Sequence, residues 1–384
     1  MSKWQKVKIG DVAIGIYDGP HATPPPCEIP GHYFLGIPQI TPTGHIDLAN
    51  PRYIAASDYS RWTKRVTPRH GDVVFSYEAT LNLYAQIPEG MKCCLGRRMG
   101  LVRPDPKKLD YRFLYYYFFS PEWRSVVKSR TLTGATVDRL PIKTFPDFPI
   151  TLPPLPIQKR IADILSAYDD LTENNRRRME ILEESARLIY RKMFGGKKTN
   201  GTKMPLSELA DVVMGQSPES STYNEDGVGL PFHQGVAGFG DRYPINEKWC
   251  TAGSRFAEEG DILFSVRAPV GRINVSREKI VIGRGLAAMR AKNGCQSWLL
   301  HTLKNHFSKE DMIGVGCIFA STTKKELFSV ELFVPPEVEI EKFEQEVAPM
   351  DEQIKVLTDM NLKLAKARDM LLPKLMNGRD EHGC

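Results

Sequence analysis

The sequence predicts an α+β protein: two globular mixed α/β modules joined by two long helices that pair as an antiparallel coiled coil, with pseudo-twofold symmetry. Three observations predict it. A strand-like block occurs twice, as Gly71-Asp72-Val73-Val74-Phe75-Ser76 and as Gly260-Asp261-Ile262-Leu263-Phe264-Ser265. A proline pair also occurs twice, in Leu152-Pro153-Pro154 and Val334-Pro335-Pro336. Each pair then runs straight into a charged, heptad-patterned stretch. An earlier echo, Ile9-Gly10-Asp11-Val12 against Leu209-Ala210-Asp211-Val212, keeps the same order. A period near half of 384 residues is too long for a solenoid and fits a duplicated unit. The expected boundaries are a first module at 1–154, a helix at 155–196, a second module at 197–335 and a helix at 336–378.

Within the modules the elements are short and rich in turns. Tyr33-Phe34-Leu35-Gly36-Ile37-Pro38-Gln39-Ile40-Thr41 and Leu230-Pro231-Phe232-His233-Gln234-Gly235 are apolar runs broken by glycine and proline. The Gly-Asp block reads as a turn followed by a strand, because β-branched and aromatic residues suit a buried sheet. Tyr111 to Phe119 reads as a helix starting after Asp110, matched by Ser297 to Leu303. The position of this aromatic run is matched between the modules, which favours core packing over base stacking.

The two long stretches carry a period of 3.5. After Pro156 the seam runs Ile161, Leu165, Tyr168, Thr172, Asn175, Met179, Leu182, Ala186, Ile189, Met193. Its copy runs Phe343, Val347, Met350, Ile354, Leu357, Asn361, Leu364, Arg368, Leu371, Leu375. Proline pairs stop either helix from extending backwards, and Gly195-Gly196 and Asn377-Gly378 end them. Asn175 and Asn361, at non-equivalent slots, are polar seam residues that penalise wrong registers. About 38 residues at about 1.5 Å each make a spacer near 57 Å. Arg176-Arg177-Arg178 lies midway and reads as a solvated face or a partner contact.

Charge separates the parts. The chain carries +6 overall. Residues 1–156 hold 20 basic and 13 acidic groups, a net +7, against +2 for residues 195–336. The positive excess lies on the modules, which suits a polyanionic partner. In the second module Arg267, Arg272 and Arg284 stand beside glycines, and Arg97 and Arg98 occupy the matching place in the first. Arginine next to glycine projects a guanidinium where main chain comes close to a ligand. It can hold guanine O6 and N7 or a phosphate, and glutamine can hold adenine, which makes Gln39, Gln216 and Gln234 candidates. Thr41, Tyr77, Ser217 and His233, in the same runs, complete the candidate set.

Several chemistries have no signal. Gly195-Gly196-Lys197-Lys198 lacks P-loop spacing, and no G-x-G-x-x-G follows a strand. No H-E-x-x-H occurs, and no Asp/Asn-Pro-Pro-aromatic tetrapeptide of a DNA aminomethyltransferase. The seven cysteines have neither paired spacing nor a nearby histidine cluster, so reduced thiols are expected, with no disulfide framework and no metal. No segment is long and apolar enough to span a membrane and the N-terminus lacks a signal core, so a cytoplasmic location is expected.

The repeated order of Gly-Asp-(Val/Ile)-(Val/Leu)-Phe-Ser, Pro-Pro and heptad helix resembles the specificity subunit of type I restriction–modification systems, over essentially the whole chain. The second half follows the family pattern more closely: Gly215-Gln216-Ser217-Pro218, Pro231-Phe232-His233-Gln234-Gly235, Gly260 to Arg267, then Val334-Pro335-Pro336. The first half departs at Asp18-Gly19-Pro20-His21-Ala22-Thr23-Pro24, which replaces the Gly-x-Ser-Pro loop. The resemblance implies two target-recognition domains reading a split sequence in double-stranded DNA. It further implies helices that set the half-site distance and dock two methyltransferase subunits, with a nuclease/translocase subunit joining. S-adenosylmethionine and ATP with magnesium would belong to those partners, this chain being non-catalytic. Two other readings stay open: the recognition portion of a fused methyltransferase–nuclease, which would methylate alone, and a coiled-coil scaffold without DNA affinity.

Overall fold

Gly71 and Gly260 sit at φ +87° and +83°, the left-handed conformation that glycine adopts at least cost, and each opens the turn that launches a strand. The strands Val73–Ser76 and Ile262–Ser265 are buried along their whole length. The aspartate between turn and strand is structural. Asp72 takes Arg103 on both carboxylate oxygens at 2.8 and 2.7 Å and also accepts the Arg69 N–H. Asp261 likewise accepts Arg290 Nε at 2.8 Å and the Glu258 N–H. The repeated Gly-Asp therefore pins an arginine of the neighbouring strand against the turn.

A computed structural model describes residues 4–25, 27, 31–134, 137–195, 200–308 and 322–377. They form two compact units, residues 1–173 with 361–384 and residues 174–360. In the first unit Ala13–Asp18, Met99–Pro104, Val73–Ser76 and Tyr84–Gln86 form an antiparallel sheet in that order. Tyr53–Ile54, His32–Leu35 and Cys93–Leu95 form a second sheet whose last pair is parallel. The second unit repeats this plan with Ala210–Met214, Leu286–Ala291, Ile262–Ser265 and Ile273–Val275. Its second sheet has five strands instead of three, Tyr223–Asn224, Trp249–Cys250, Leu230–His233, Ile280–Ile282 and Phe256–Ala257, and again one parallel pair, Leu230–His233 with Ile280–Ile282. A two-strand ribbon closes each unit, Gln5–Lys8 with Pro149–Leu152 and Thr202–Pro205 with Glu331–Val334. The duplication read in the sequence is thus a duplication of topology.

Aromatic side chains fill the first core. Tyr111–Tyr117 is helical, capped by Asp110, whose carboxylate accepts the N–H groups of Arg112 and Phe113. Phe113, Tyr117 and Phe118 are fully buried beside Trp123, Phe145 and Phe148. The counterpart helix Gln296–Ser308 buries Trp298, Leu299 and Leu303. Cys93 and Cys94 lie in the smaller sheet, and burial pushes both thiols up to about 12, so they pack as unreactive apolar groups.

The long helices run Leu155–Phe194 and Glu337–Met376. The second continues through Pro349 and Pro373, each giving up one main-chain donor. Every seam position is buried or half-buried, including Ile161, Leu165, Asn175, Leu182, Ile189, Ile354, Leu357, Asn361, Leu364 and Leu371. Leu171, Ile181, Leu188, Val356 and Leu362, off the seam, face solvent. The period of 3.5, rather than hydrophobicity alone, selected the buried face.

In the first unit the helix segments run antiparallel. Arg368 pairs with Asp169 at 2.5 Å, and the Asn361 amide donates to the Thr172 carbonyl at 3.2 Å. Tyr116 adds a hydroxyl donor to Asp169 at 2.6 Å, anchoring the aromatic helix to the same ion pair. In the second unit Thr358 lies 3.3 Å from Met179 Sδ, and Arg242 bridges Glu183 of one helix and Asp351 of the other. Arg176, Arg177 and Arg178 are exposed, with Arg176 paired to Glu180 one turn on.

Candidate nucleic-acid interface

Main-chain hydrogen bonds gather four loops of the second unit. Gln216 N–H donates to Ile282 O at 3.0 Å, and Gly215 N–H to Leu286 O at 2.9 Å. Gly283 N–H reaches His233 O, Gly285 N–H reaches Gln234 O, and Val266 N–H reaches Gly285 O, all within 3.0 Å. Such close approach needs glycine: a Cβ on Gly215 would stand 2.1 Å from Gly283 O, and one on Gly285 2.3 Å from Gln234 O. The weave brings the exposed side chains Gln216, Gln234, Arg267 and Arg284 to one loop cluster. Ser217 Oγ accepts the Arg284 N–H at 3.2 Å and so fixes the arginine's backbone.

Arg272 belongs to the neighbouring turn. Its N–H donates to Ser265 Oγ at 2.8 Å, and its side chain lines a groove of about 1250 Å³ that Arg176, Tyr243 and Lys304 also border. Among the described residues, the side chains of Arg267, Arg272 and Arg284 have no ion pair or hydrogen bond, so each guanidinium keeps its donors for a ligand. His233 differs. It is buried, its Nε2 lies 2.9 Å from Asn246 Oδ1, and burial lowers its pKa. It braces the loop from beneath.

The first unit repeats the weave. Gly19 N–H reaches Met99 O, Gly96 N–H reaches Leu35 O, and Tyr77 N–H reaches Arg98 O. Matching bonds put Gly96 where Gly283 stands and Tyr77 where Val266 stands, so exposed Arg97 takes the place of Arg284. Arg98 adopts φ +72° in the turn and donates from Nε to Glu78 Oε1 at 3.1 Å. Tyr77 is buried, and its hydroxyl has no partner among the described residues. Burial, reinforced by Asp18 and Glu78, raises its pKa.

Gln39 turns inward, its Oε1 accepting the Gly36 N–H at 3.1 Å. Thr41 Oγ1 accepts the His45 N–H at 2.9 Å and shapes its own loop. The structure also adds a residue that the repeat does not signal. Arg65 donates to Asp18 Oδ1 at 2.5 Å and to Gly19 O, joining the same loop cluster. Its only sequence signal is the basic density of Arg61-Trp62-Thr63-Lys64-Arg65, which has no echo in the second half.

A charged anchor ties the segment around Arg242 to both long helices. Arg242 is 8% exposed and bonds Glu183 and Asp351, while Lys304 reaches Glu183 at 3.1 Å. Burial alone would raise the Glu183 pKa, but Arg242 and Lys304 together pull it down to about 2. Among the described residues no group of three or more acidic, histidine or cysteine side chains is placed to hold a metal ion, and no helix is long and apolar enough to cross a membrane.

A family model described as the type I restriction modification DNA specificity domain matches residues 1–184. The MjaX type I restriction enzyme specificity subunit of Methanocaldococcus jannaschii is 29% identical over 80% of this chain and 78% of its own. The MjaIX specificity subunit of the same organism is 24% identical over 97% and 92%. In fold, the chain is similar to the type I restriction–modification S subunit from M. genitalium, with a TM-score of 0.61 at 17% identity over 97% and 96% of the two chains.

Proposed function

Because the chain belongs to the specificity-subunit family of type I restriction–modification systems, a family of sequence-specific DNA-recognition subunits, we propose that its modules, residues 1–154 and 197–335, read the two halves of a bipartite duplex target. In this reading the helices at 155–196 and 336–378 set the unspecified gap and dock two methyltransferase subunits. The restriction subunits join that assembly inside the cell, in the cytoplasm. S-adenosylmethionine, ATP and magnesium act on those partners, while this chain supplies recognition.

One observation carries the reading: in the second module, guanidinium groups without a partner among the described residues and exposed glutamines stand on glycine-tied loops. Arginine and glutamine are the side chains that grip guanine and adenine edges with two hydrogen bonds each. The supporting main chain is fixed, so little ordering entropy is lost on binding. The proposed contacts are Gln216, Gln234, Arg267, Arg272 and Arg284 in one module and Arg97 and Arg98 in the other. Ser217, His233, Gln39, Thr41 and Tyr77 shape the loops that present them.

Binding of the full chain to duplex DNA, measured across a salt series, tests this. Several phosphate contacts should make affinity fall roughly a thousand-fold or more between 50 and 200 mM salt. A salt-independent or absent interaction would favour a protein scaffold instead.

A further inference from the structure

We infer that Glu78 is a specificity-determining residue of the first module, reading an exocyclic amino group, cytosine N4, where the second module uses Arg267 to read guanine. The inference rests on the DNA-reading role proposed above and deepens it.

Two observations carry it. The first is positional. Ser76-Tyr77-Glu78 and Ser265-Val266-Arg267 each leave the buried strand of the Gly-Asp block. In both, the middle residue donates its N–H to the turn of the next hairpin, Tyr77 to Arg98 O and Val266 to Gly285 O. In both, its carbonyl accepts from a following segment, from Leu140 N–H at 2.7 Å and from Thr322 N–H at 2.8 Å. Glu78 and Arg267 are therefore the same position of one scaffold with opposite charge. Main-chain placement is shared, so the side chain alone differs in what it offers a base.

The second observation is chemical. Arg98 binds Oε1 of Glu78 at 3.1 Å, while Oε2 has no partner among the described residues. The carboxylate side chain is 24% exposed and is held through Oε1. A carboxylate accepts and cannot donate, and in the major groove only cytosine N4 and adenine N6 donate. Adenine presents N7 beside its amino group, an acceptor that a carboxylate repels. Cytosine offers its amino group without that acceptor, so it is the better fit. Arg267 donates only, and suits the paired acceptors O6 and N7 of guanine.

The test is selection of duplexes from a random library by the full chain, comparing wild type with Glu78→Arg, Glu78→Gln and Arg267→Glu. Wild type should enrich a split motif. Glu78→Arg should change one base of one half from cytosine to guanine, with at least a tenfold switch in preference, and leave the other half unchanged. Glu78→Gln, which keeps the size of the side chain, should move the same base toward adenine. Arg267→Glu should act only on the other half. Motifs identical to wild type, or Glu78→Arg tightening binding to all sequences alike, would overturn the inference and make Glu78 a mere brace for Arg98. A wild type that enriches no motif would instead overturn the DNA-reading role beneath it. Thermal unfolding of each variant identifies any that fails to fold, and Glu78→Gln then decides.

Discussion

Arg284 and Arg97 show what one residue can and cannot reveal before a structure. Both stand between glycine and a tight turn, a pattern readable in the sequence, and both are exposed at the mouth of the loop weave. Arg284→Ala should weaken binding of DNA carrying the cognate second half-site by about 1–3 kcal/mol, the usual worth of a two-bond base contact, and leave discrimination at the first half intact. Competition between cognate, half-mutant and random duplexes measures this. Equal loss on all three would make it a phosphate contact. His233 and Gln39 are polar residues of apolar runs and point inward, to Asn246 and to the Gly36 amide. No local pattern separates them from Gln216 or Gln234, because the inward turn is decided by neighbouring strands. Arg65 was illegible for the opposite reason: its partner Asp18 is 47 residues away and the pair occurs in only one copy.

Elements were more legible than side chains. The seam is a repeating signal, and two helices of 40 residues each carry it where the period of 3.5 places it. The Gly-Asp block was readable as a turn and strand, but not the reason for its aspartate, which lies in an arginine of a neighbouring strand. The helix Gln296–Ser308 adds a titration. His301 is buried against Tyr190 and Phe343 in the second core, with Asp351, Lys304, Glu183 and Arg242 nearby. Burial lowers its pKa to about 4, the opposing pull of Asp351 notwithstanding. An unfolded histidine takes up its proton near pH 6.5, so between about 6.5 and 4 the unfolded chain binds more protons. The contribution is complete above about pH 6.5 and fades as pH falls toward 4, by up to about 3 kcal/mol. Glu183, held down to about 2, loses its own contribution in a lower window, from about 4.5 downward. Denaturant midpoints across pH 4 to 7 check this, with His301→Gln expected to flatten the slope. Coincident slopes would mean that burial of this imidazole is not the cause.

At the scale of the whole molecule, duplication gives one chain two versions of one scaffold, free to diverge in their loops. Glu78 against Arg267 is such a divergence on shared main chain. A symmetric homodimer would be bound to read the same half-site twice, whereas this chain can read two different ones. Each long helix contributes one end to each unit, so helix length links the units covalently. The measurement that tests this most directly is the spacer selected from random duplexes by the full chain with its methyltransferase partner, before and after four residues are inserted at matched points of both long helices. Four residues add about 6 Å, or about two base pairs. The expected result is two enriched blocks of unchanged sequence with the gap between them lengthened by about that amount. An unchanged gap, or a single contiguous motif, would contradict the account.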